Sequence, residues 1–114
     1  MSKLNTVAGD DAVRANLVAW DEVAPIHARH NQAALLKAVA QPGFSVLEED
    51  TKAIFAELGV AGKSVAQLCC NNGRELISLK ALGAGRCVGF DGAPTFVEQA
   101  RDLNEAAGQD CEFV

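Results

Sequence analysis

The stretch that most constrains the fold of this chain is residues 64–92, which read SVAQLCCNNGRELISLKALGAGRCVGFDG. Residues 65–70 form a short apolar run between turn-forming residues, which predicts a buried parallel strand. Residues 74–82 carry leucines at helical spacing and are followed by a glycine stop signal. Residues 86–90 predict a second strand, and Asp91 follows it. Such a strand–helix–strand unit places the first turn and the end of the second strand at one edge of a sheet, where ligands bind.

The sequence before this unit predicts helices only. Asp10 or Asp11 can cap a first helix, and Pro25 interrupts it. The apolar side chains that share one face of this helix are Val13, Leu17, Trp20 and Ala24. Because proline fits best at the start of a helix, we expect a second, alanine-rich helix over residues 26–40.

The remaining elements complete an alternating pattern. Ser45 and Glu48 have the spacing of a capping box and predict a third helix, which ends at Gly59. Pro94 opens a helix after the second strand, and residues 111–114 begin a third strand. Three helices followed by alternating strands and helices predict an α/β fold with a parallel sheet.

We expect the sheet to be Rossmann-like and doubly wound, represented by its first three strands and preceded by an N-terminal helical cap. The predicted division is residues 1–58 for the cap and residues 59–114 for the first half of the Rossmann-like domain. The first strand of such a sheet is central, so an open edge is expected on its other side. We therefore expect the N-terminal part of a longer protein, with a sheet completed by another chain as the alternative.

Charge and composition disfavour several classes of protein. The net charge of −5 argues against a nucleic-acid binder or a binder of anionic membranes, because both are usually basic. No apolar run approaches the ~20 residues that span a bilayer, and the first residues lack a signal-peptide pattern, so a cytoplasmic protein is expected. The four cysteines, Cys69, Cys70, Cys87 and Cys111, lack metal-ligand spacing and are expected to be free buried thiols, with no metal site.

The turn after the first strand separates two cofactor classes. A dinucleotide carries a pyrophosphate, whose cradle needs several glycines at a helix N-terminus. Residues 69–73, CCNNG, contain only Gly73. S-adenosylmethionine has no phosphate, and Gly73 can supply the one close backbone approach that it needs. Asn71 and Asn72 can adopt left-handed torsions where glycine is absent.

Asp91 stands where the second strand ends. A carboxylate at that place can accept hydrogen bonds from both hydroxyls of a ribose, and both cofactor classes use this contact. Asp91 therefore predicts an adenosine-like ligand without distinguishing the two. The structural alternative is a turn residue, because Asp-Gly is a common turn sequence.

The motifs VAQLCCNNGRE and RCVGFDGAPTFVEQAR resemble the first two cofactor motifs of class I S-adenosylmethionine-dependent methyltransferases. In that family a strand ends in an acid-x-Gly-x-Gly-x-Gly turn and the next strand ends in Asp or Glu. Gln67 stands at the place of the first acid, and Cys69 and Asn71 stand at the places of the first two glycines. CCNNGRE is similar to a variant in a bacterial branch of the family, and AWDEVAPIHARHN resembles the helical cap of that branch.

The resemblance implies a methyltransferase with S-adenosyl-L-methionine as its cofactor. The methionine part would lie over residues 69–73, Asp91 would hold the ribose, and Gly92, Ala93 and Phe96 would border the adenine. The candidate cofactor-binding residues are therefore Cys69, Asn71, Asn72, Gly73, Asp91, Gly92 and Ala93. Ala93 replaces the serine that caps the next helix in many relatives, so that cap is expected to be lost.

The cap implied by the resemblance covers the cofactor or the substrate. Its candidate lid or substrate residues are Trp20 and His27, with His30 as a further histidine. A small-molecule substrate is favoured over a macromolecule, and a homodimer is compatible with the sequence; the methyl acceptor and any catalytic base stay open. Two alternatives remain: a non-catalytic nucleotide-binding or assembly module, and, less favoured, an NAD-type oxidoreductase.

Overall fold

A computed structural model of the chain describes residues 2–114, with side chains described from residue 9 onward. Helices and strands alternate as α1 (Ser2–Ala38), α2 (Glu49–Leu58), β1 (Val65–Leu68), α3 (Arg74–Ala81), β2 (Cys87–Phe90), α4 (Pro94–Ala106) and β3 (Glu112–Phe113). The predicted order from the first strand onward is confirmed. No helix within residues 2–114 combines the length and the apolar character that crossing a membrane requires.

The three strands form one parallel sheet in the order β1-β2-β3. Val65 pairs with Cys87 in the first ladder, and Val88 pairs with Glu112 in the second. The predicted mixed α/β fold with a parallel sheet is therefore confirmed. Among the described strands β1 pairs only with β2, so its other side is an edge, as expected.

The two faces of the sheet differ in their cover. Both crossovers run in the same direction across the sheet, so right-handed connections place α3 and α4 on one face. The core lies between that face and the two helices, where Leu76, Leu103 and Phe113 belong to one buried cluster. The opposite face is uncovered by any described helix and carries the apolar side chains of Ala66, Leu68, Val88 and Phe90. Leu68 is 76% exposed.

The N-terminal region differs from its prediction. A single helix, α1, runs from Ser2 to Ala38, so the expected break at Pro25 and the expected cap at Asp10 or Asp11 are wrong. Pro25 is exposed on the helix surface, and its missing N–H leaves the carbonyl of Asp21 without its usual helical donor. Packing offsets this loss, because Ala24 is fully buried against Ala93 and Phe96.

The predicted capping box before α2 is also wrong. The Ser45 hydroxyl accepts a hydrogen bond from the N–H of Leu47 at 3.1 Å, and Glu48 occupies the cap position without a side-chain cap bond. A tertiary contact takes over, since the Ser78 hydroxyl of α3 accepts the N–H of Val46 at 3.0 Å. The predicted end of the helix at Gly59 is confirmed, and this residue has the left-handed conformation, with φ of 71°.

Gly73 ends the turn after β1 and has φ of 76°. A Cβ atom at this position would lie 2.5 Å from the ring of Phe113 and 3.1 Å from Cβ of Ala100. Phe113 is only 5% exposed and is fixed in the core, so its ring has little room to move away. Gly73 is therefore required for the packing of β3 as well as for the backbone of the turn.

We predict that Gly73→Ala destabilises the protein by about 2–5 kcal/mol, because it adds an overpacked methyl group to a left-handed backbone. Gly108→Ala is the matched control, since Gly108 has φ of 65° but no neighbour within 4 Å of the added atom. The control is expected to cost about 1–2 kcal/mol. Urea unfolding followed by circular dichroism measures both, and equal losses would show that the contact with Phe113 does not matter.

Candidate functional site

A cavity of about 250 Å³ opens at the edge of the sheet where β1 and β2 end. Its walls come from the two turns at that edge, from α1 and from the first turn of α4. The lining residues are Asn16, Leu17, Trp20, Cys69, Asn71, Asp91, Gly92 and Phe96. The predicted ligand edge therefore coincides with a cavity.

Every second residue of the turn after β1 has a left-handed backbone conformation. Cys69 has φ of 54°, Asn71 has φ of 55° and Gly73 has φ of 76°. The side chain of Asn71 supports its own conformation, because its Oδ1 accepts the N–H of Asn72 at 2.7 Å. A left-handed cysteine costs about 1–2 kcal/mol, and such residues persist where surrounding contacts fix them, often at ligand sites.

The carboxylate of Asp91 joins the two turns. Its Oδ2 accepts the N–H of Asn71 at 2.8 Å, and its Oδ1 accepts the N–H of Ala93 at 2.9 Å. This geometry gives Asp91 the structural role of a turn residue. Each carboxylate oxygen keeps a further acceptor site, so the same group can also accept hydrogen bonds from a ligand in the cavity.

The candidate cofactor residues divide into two groups. Cys69, Asn71, Asp91 and Gly92 line the cavity. The other three candidates, Asn72, Gly73 and Ala93, are buried behind it. The Asn72 side chain accepts a hydrogen bond from Nη1 of Arg74 at 3.0 Å, which engages that arginine within the turn. Asn72, Gly73 and Ala93 would therefore contribute to ligand binding through backbone atoms or by supporting the turns.

The residues that α1 contributes to the cavity differ from the predicted ones. Trp20 lines the cavity, and its ring centroid lies 6.4 Å from that of Phe96. His27 lies outside the lining, with its ring 6.1 Å from the Phe96 ring, and His30 is exposed elsewhere on α1. Sequence reasoning missed Asn16 and Leu17 as site residues. Leu17 belongs to the apolar stripe that the sequence indicates, whereas Asn16 has no local signal.

The expected loss of the local cap is confirmed, because Ala93 makes no side-chain cap bond to α4, but a distant residue supplies an acceptor instead. The N–H of Thr95, in the first turn of α4, donates to Oδ1 of Asp21 at 2.9 Å. The cap therefore comes from α1 rather than from the residue before Pro94. No pattern within residues 91–98 signals such a distant partner.

The electrostatics of the cavity exclude a strong phosphate site. Asp91 is the single acid among the described lining residues, and none of them is basic. A bound phosphate would be repelled by this carboxylate and would lack a compensating cation. Among the described side chains, no group of three or more His, Cys, Asp and Glu residues could hold a metal ion. The arrangement suits a neutral or cationic ligand.

The cysteines separate by exposure. Cys70, Cys87 and Cys111 are buried, as predicted, but Cys69 is exposed because it follows β1 at the mouth of the cavity. Burial, helped by the nearby charge of Asp91, raises the pKa of Cys70 to about 11. Burial also raises the pKa of Cys111 to about 12 and raises that of Cys87. Cys69 is therefore the thiol placed to react from solvent.

Comparison of the sequence with protein-family models gives no match, and a search of curated proteins gives none either. The resemblance of the two motifs to methyltransferases thus stays a prediction.

We predict that iodoacetamide at pH 8 modifies Cys69 first in the folded protein, because the other three thiols are buried and neutral. Peptide mass spectrometry identifies the modified position. Cys69→Ser is expected to abolish the fast reaction, whereas unfolding in urea is expected to expose all four cysteines. Fast modification of Cys70 in the native protein would contradict the burial of that thiol.

Proposed function

We propose that this chain contains the cofactor-binding part of an S-adenosylmethionine-dependent methyltransferase. The observation that carries the proposal is the Asp91 carboxylate, which stands at the end of β2 in a cavity that lacks basic lining residues among those described. A ribose with two free hydroxyls fits such an acceptor, and a phosphate does not.

The strand order supports the finer fold on which this proposal rests. Strands β1, β2 and β3 lie side by side in chain order, which is the arrangement of one half of a Rossmann-like, doubly wound sheet. Ligands of such sheets bind at the carboxyl ends of the strands, and the cavity lies at those ends. The open edge of β1 is the side on which the other half of such a sheet would pair.

The walls of the cavity suit an adenosine group. Trp20 is 45% exposed and supplies aromatic surface for stacking, and the buried ring of Phe96 lies behind it, inclined at 52°. Gly92 leaves room for Leu17 in the wall, and Asp91 offers acceptors to the ribose hydroxyls. The volume of about 250 Å³ is below the roughly 300–1,000 Å³ of complete ligand pockets, so we assign this cavity to the nucleoside part.

The turn after β1 would hold the methionine part, with Cys69 and Asn71 at the cavity wall. When bound, S-adenosylmethionine supplies a methyl group that is already activated by the positive charge on sulfur. The residues of this chain bind and orient that group, and they exclude water from one side of it. Much of the rate acceleration of such a transfer can come from holding the two reactants together in line.

We predict that S-adenosylhomocysteine binds to the protein in isothermal titration and that NAD does not, since the cavity disfavours a pyrophosphate. Asp91→Ala is expected to weaken S-adenosylhomocysteine at least about tenfold, because hydrogen bonds to a charged acceptor contribute about 1.5–3 kcal/mol. Binding should also protect Cys69 from iodoacetamide.

Gln67→Ala is a suitable control variant, because Gln67 lies on β1, where it pairs with Gly89, and outside the cavity lining. Unfolding curves establish that each variant remains folded. Binding of NAD without S-adenosylhomocysteine would reject the proposal, and an unchanged affinity in Asp91→Ala would remove Asp91 from the site.

A second candidate function is an assembly module whose half-sheet is completed by another chain. The uncovered apolar face of the sheet favours it, because parallel sheets are normally covered on both faces. In this case Leu68 and Phe90 would lie in an interface between chains.

We predict for this second function that the protein sediments as a stable oligomer and that Leu68→Glu dissociates it, since a buried charge without a partner is costly. Leu58→Glu is the control, because Leu58 is a similarly exposed leucine on α2, away from the sheet face. A monomer in both the parent protein and the two variants would reject the assembly function.

A further inference from the structure

The wall that α1 gives to the cavity is held in place by the packing of α1 against α4. Asn16, Leu17 and Trp20 form this wall, and the helix around them is largely exposed. Only one stripe of this part of α1 is buried or half-buried. The position of the wall therefore depends on the contacts between that stripe and the start of α4.

Among the described side chains of this part of α1, that of Asp21 is the one that hydrogen-bonds to α4. Its Oδ1 accepts the N–H of Thr95 at 2.9 Å, across 74 positions of sequence. The first N–H groups of a helix have no partner within the helix, and the partial positive charge there favours a carboxylate. The contact thus satisfies a donor of α4 and fixes α1 in one step.

The neighbouring contacts place Asp21 at the centre of this docking. Ala24, three residues on, is 0% exposed against Ala93 and Phe96, and Nε2 of Gln99 donates to its carbonyl at 2.9 Å. On the other side, Leu17 fills the space beside Gly92, where a Cβ atom would lie 2.5 Å from the leucine. The helical turn that starts at Asp21 lacks one hydrogen bond because Pro25 has no N–H. The docking contacts therefore offset the free energy of that missing hydrogen bond.

We propose that Asp21 is a positioning residue that holds the α1 wall over the cavity, so that ligand affinity depends on its bond to Thr95. This inference rests on the proposed function in taking the cavity as the cofactor site. If the α1 wall is docked over the cavity for only a fraction of the time, the apparent affinity for the ligand is the intrinsic affinity multiplied by that fraction. Asp21 itself lies outside the cavity lining.

Three variants test this role. Asp21→Ala removes the acceptor and is expected to weaken S-adenosylhomocysteine by up to about fivefold, the limit set by the loss of a typical helix cap. Asp21→Asn keeps an acceptor oxygen and should restore most of the affinity, since Asn and Asp are comparable caps. Glu22→Ala removes the same charge from the adjacent exposed position of α1 and should bind as the parent does.

Two measurements without ligand separate docking from overall stability. Trp20 is the single tryptophan of the chain, so acrylamide quenching of its fluorescence reports the position of the wall. Asp21→Ala should increase this quenching and speed the hydrogen exchange of the Thr95 amide, while Glu22→Ala should change neither. In the parent protein the Thr95 amide should be protected from hydrogen exchange. This measurement can be made without any variant.

The outcomes of this experiment are distinguishable. An unprotected Thr95 amide in the parent protein, or unchanged quenching together with unchanged affinity in Asp21→Ala, would overturn the role of Asp21. Failure of the parent protein to bind S-adenosylhomocysteine would reject the proposed function instead. In that case the exchange and quenching data still decide whether Asp21 docks α1.

Discussion

The site depends on one interaction, the pair of hydrogen bonds that the Asp91 carboxylate accepts from the N–H groups of Asn71 and Ala93. The two donors belong to turns that follow different strands, so the carboxylate fixes the distance between them. Replacing it with an apolar group would leave two partly buried donors without partners, each at a cost of about 1–3 kcal/mol. The same group thus sets the shape of the cavity and places acceptor oxygens at its wall.

The turn that Asp91 holds also has to accommodate the core. Gly73 places its backbone against the Phe113 ring, and Gly89 on β2 approaches the same ring, which a Cβ atom there would meet at 2.8 Å. Two glycines therefore make room for one aromatic side chain, at the junction of β3 with the rest of the sheet. The glycine that suggested a cofactor turn in the sequence is required first for packing, and the two requirements are compatible.

The sequence predicts the sheet domain well because its signals are local. Short apolar runs, turn residues and Gly stop signals identify β1, α3, β2 and α4, and Asp91 is recognisable from its place after a strand. Contacts over long sequence distances override the local signals elsewhere. Pro25 fails to break α1 because Ala24 is buried against α4, and Ala93 suggests an uncapped helix because Asp21 lies outside the window that a capping pattern covers. The contribution of Asn16 to the cavity has the same cause, since only the docking of α1 brings it there.

The contact between Leu17 and Gly92 restricts how the sequence can vary. The leucine side chain fills the volume that any larger residue at position 92 would need, with only 2.5 Å to a Cβ atom. A larger side chain at 92 requires Leu17 to move aside, and a smaller residue at 17 removes that requirement. Two positions 75 residues apart, one on α1 and one in the turn after β2, should therefore covary, and exchange of either segment between related proteins should require the matching residue in the other.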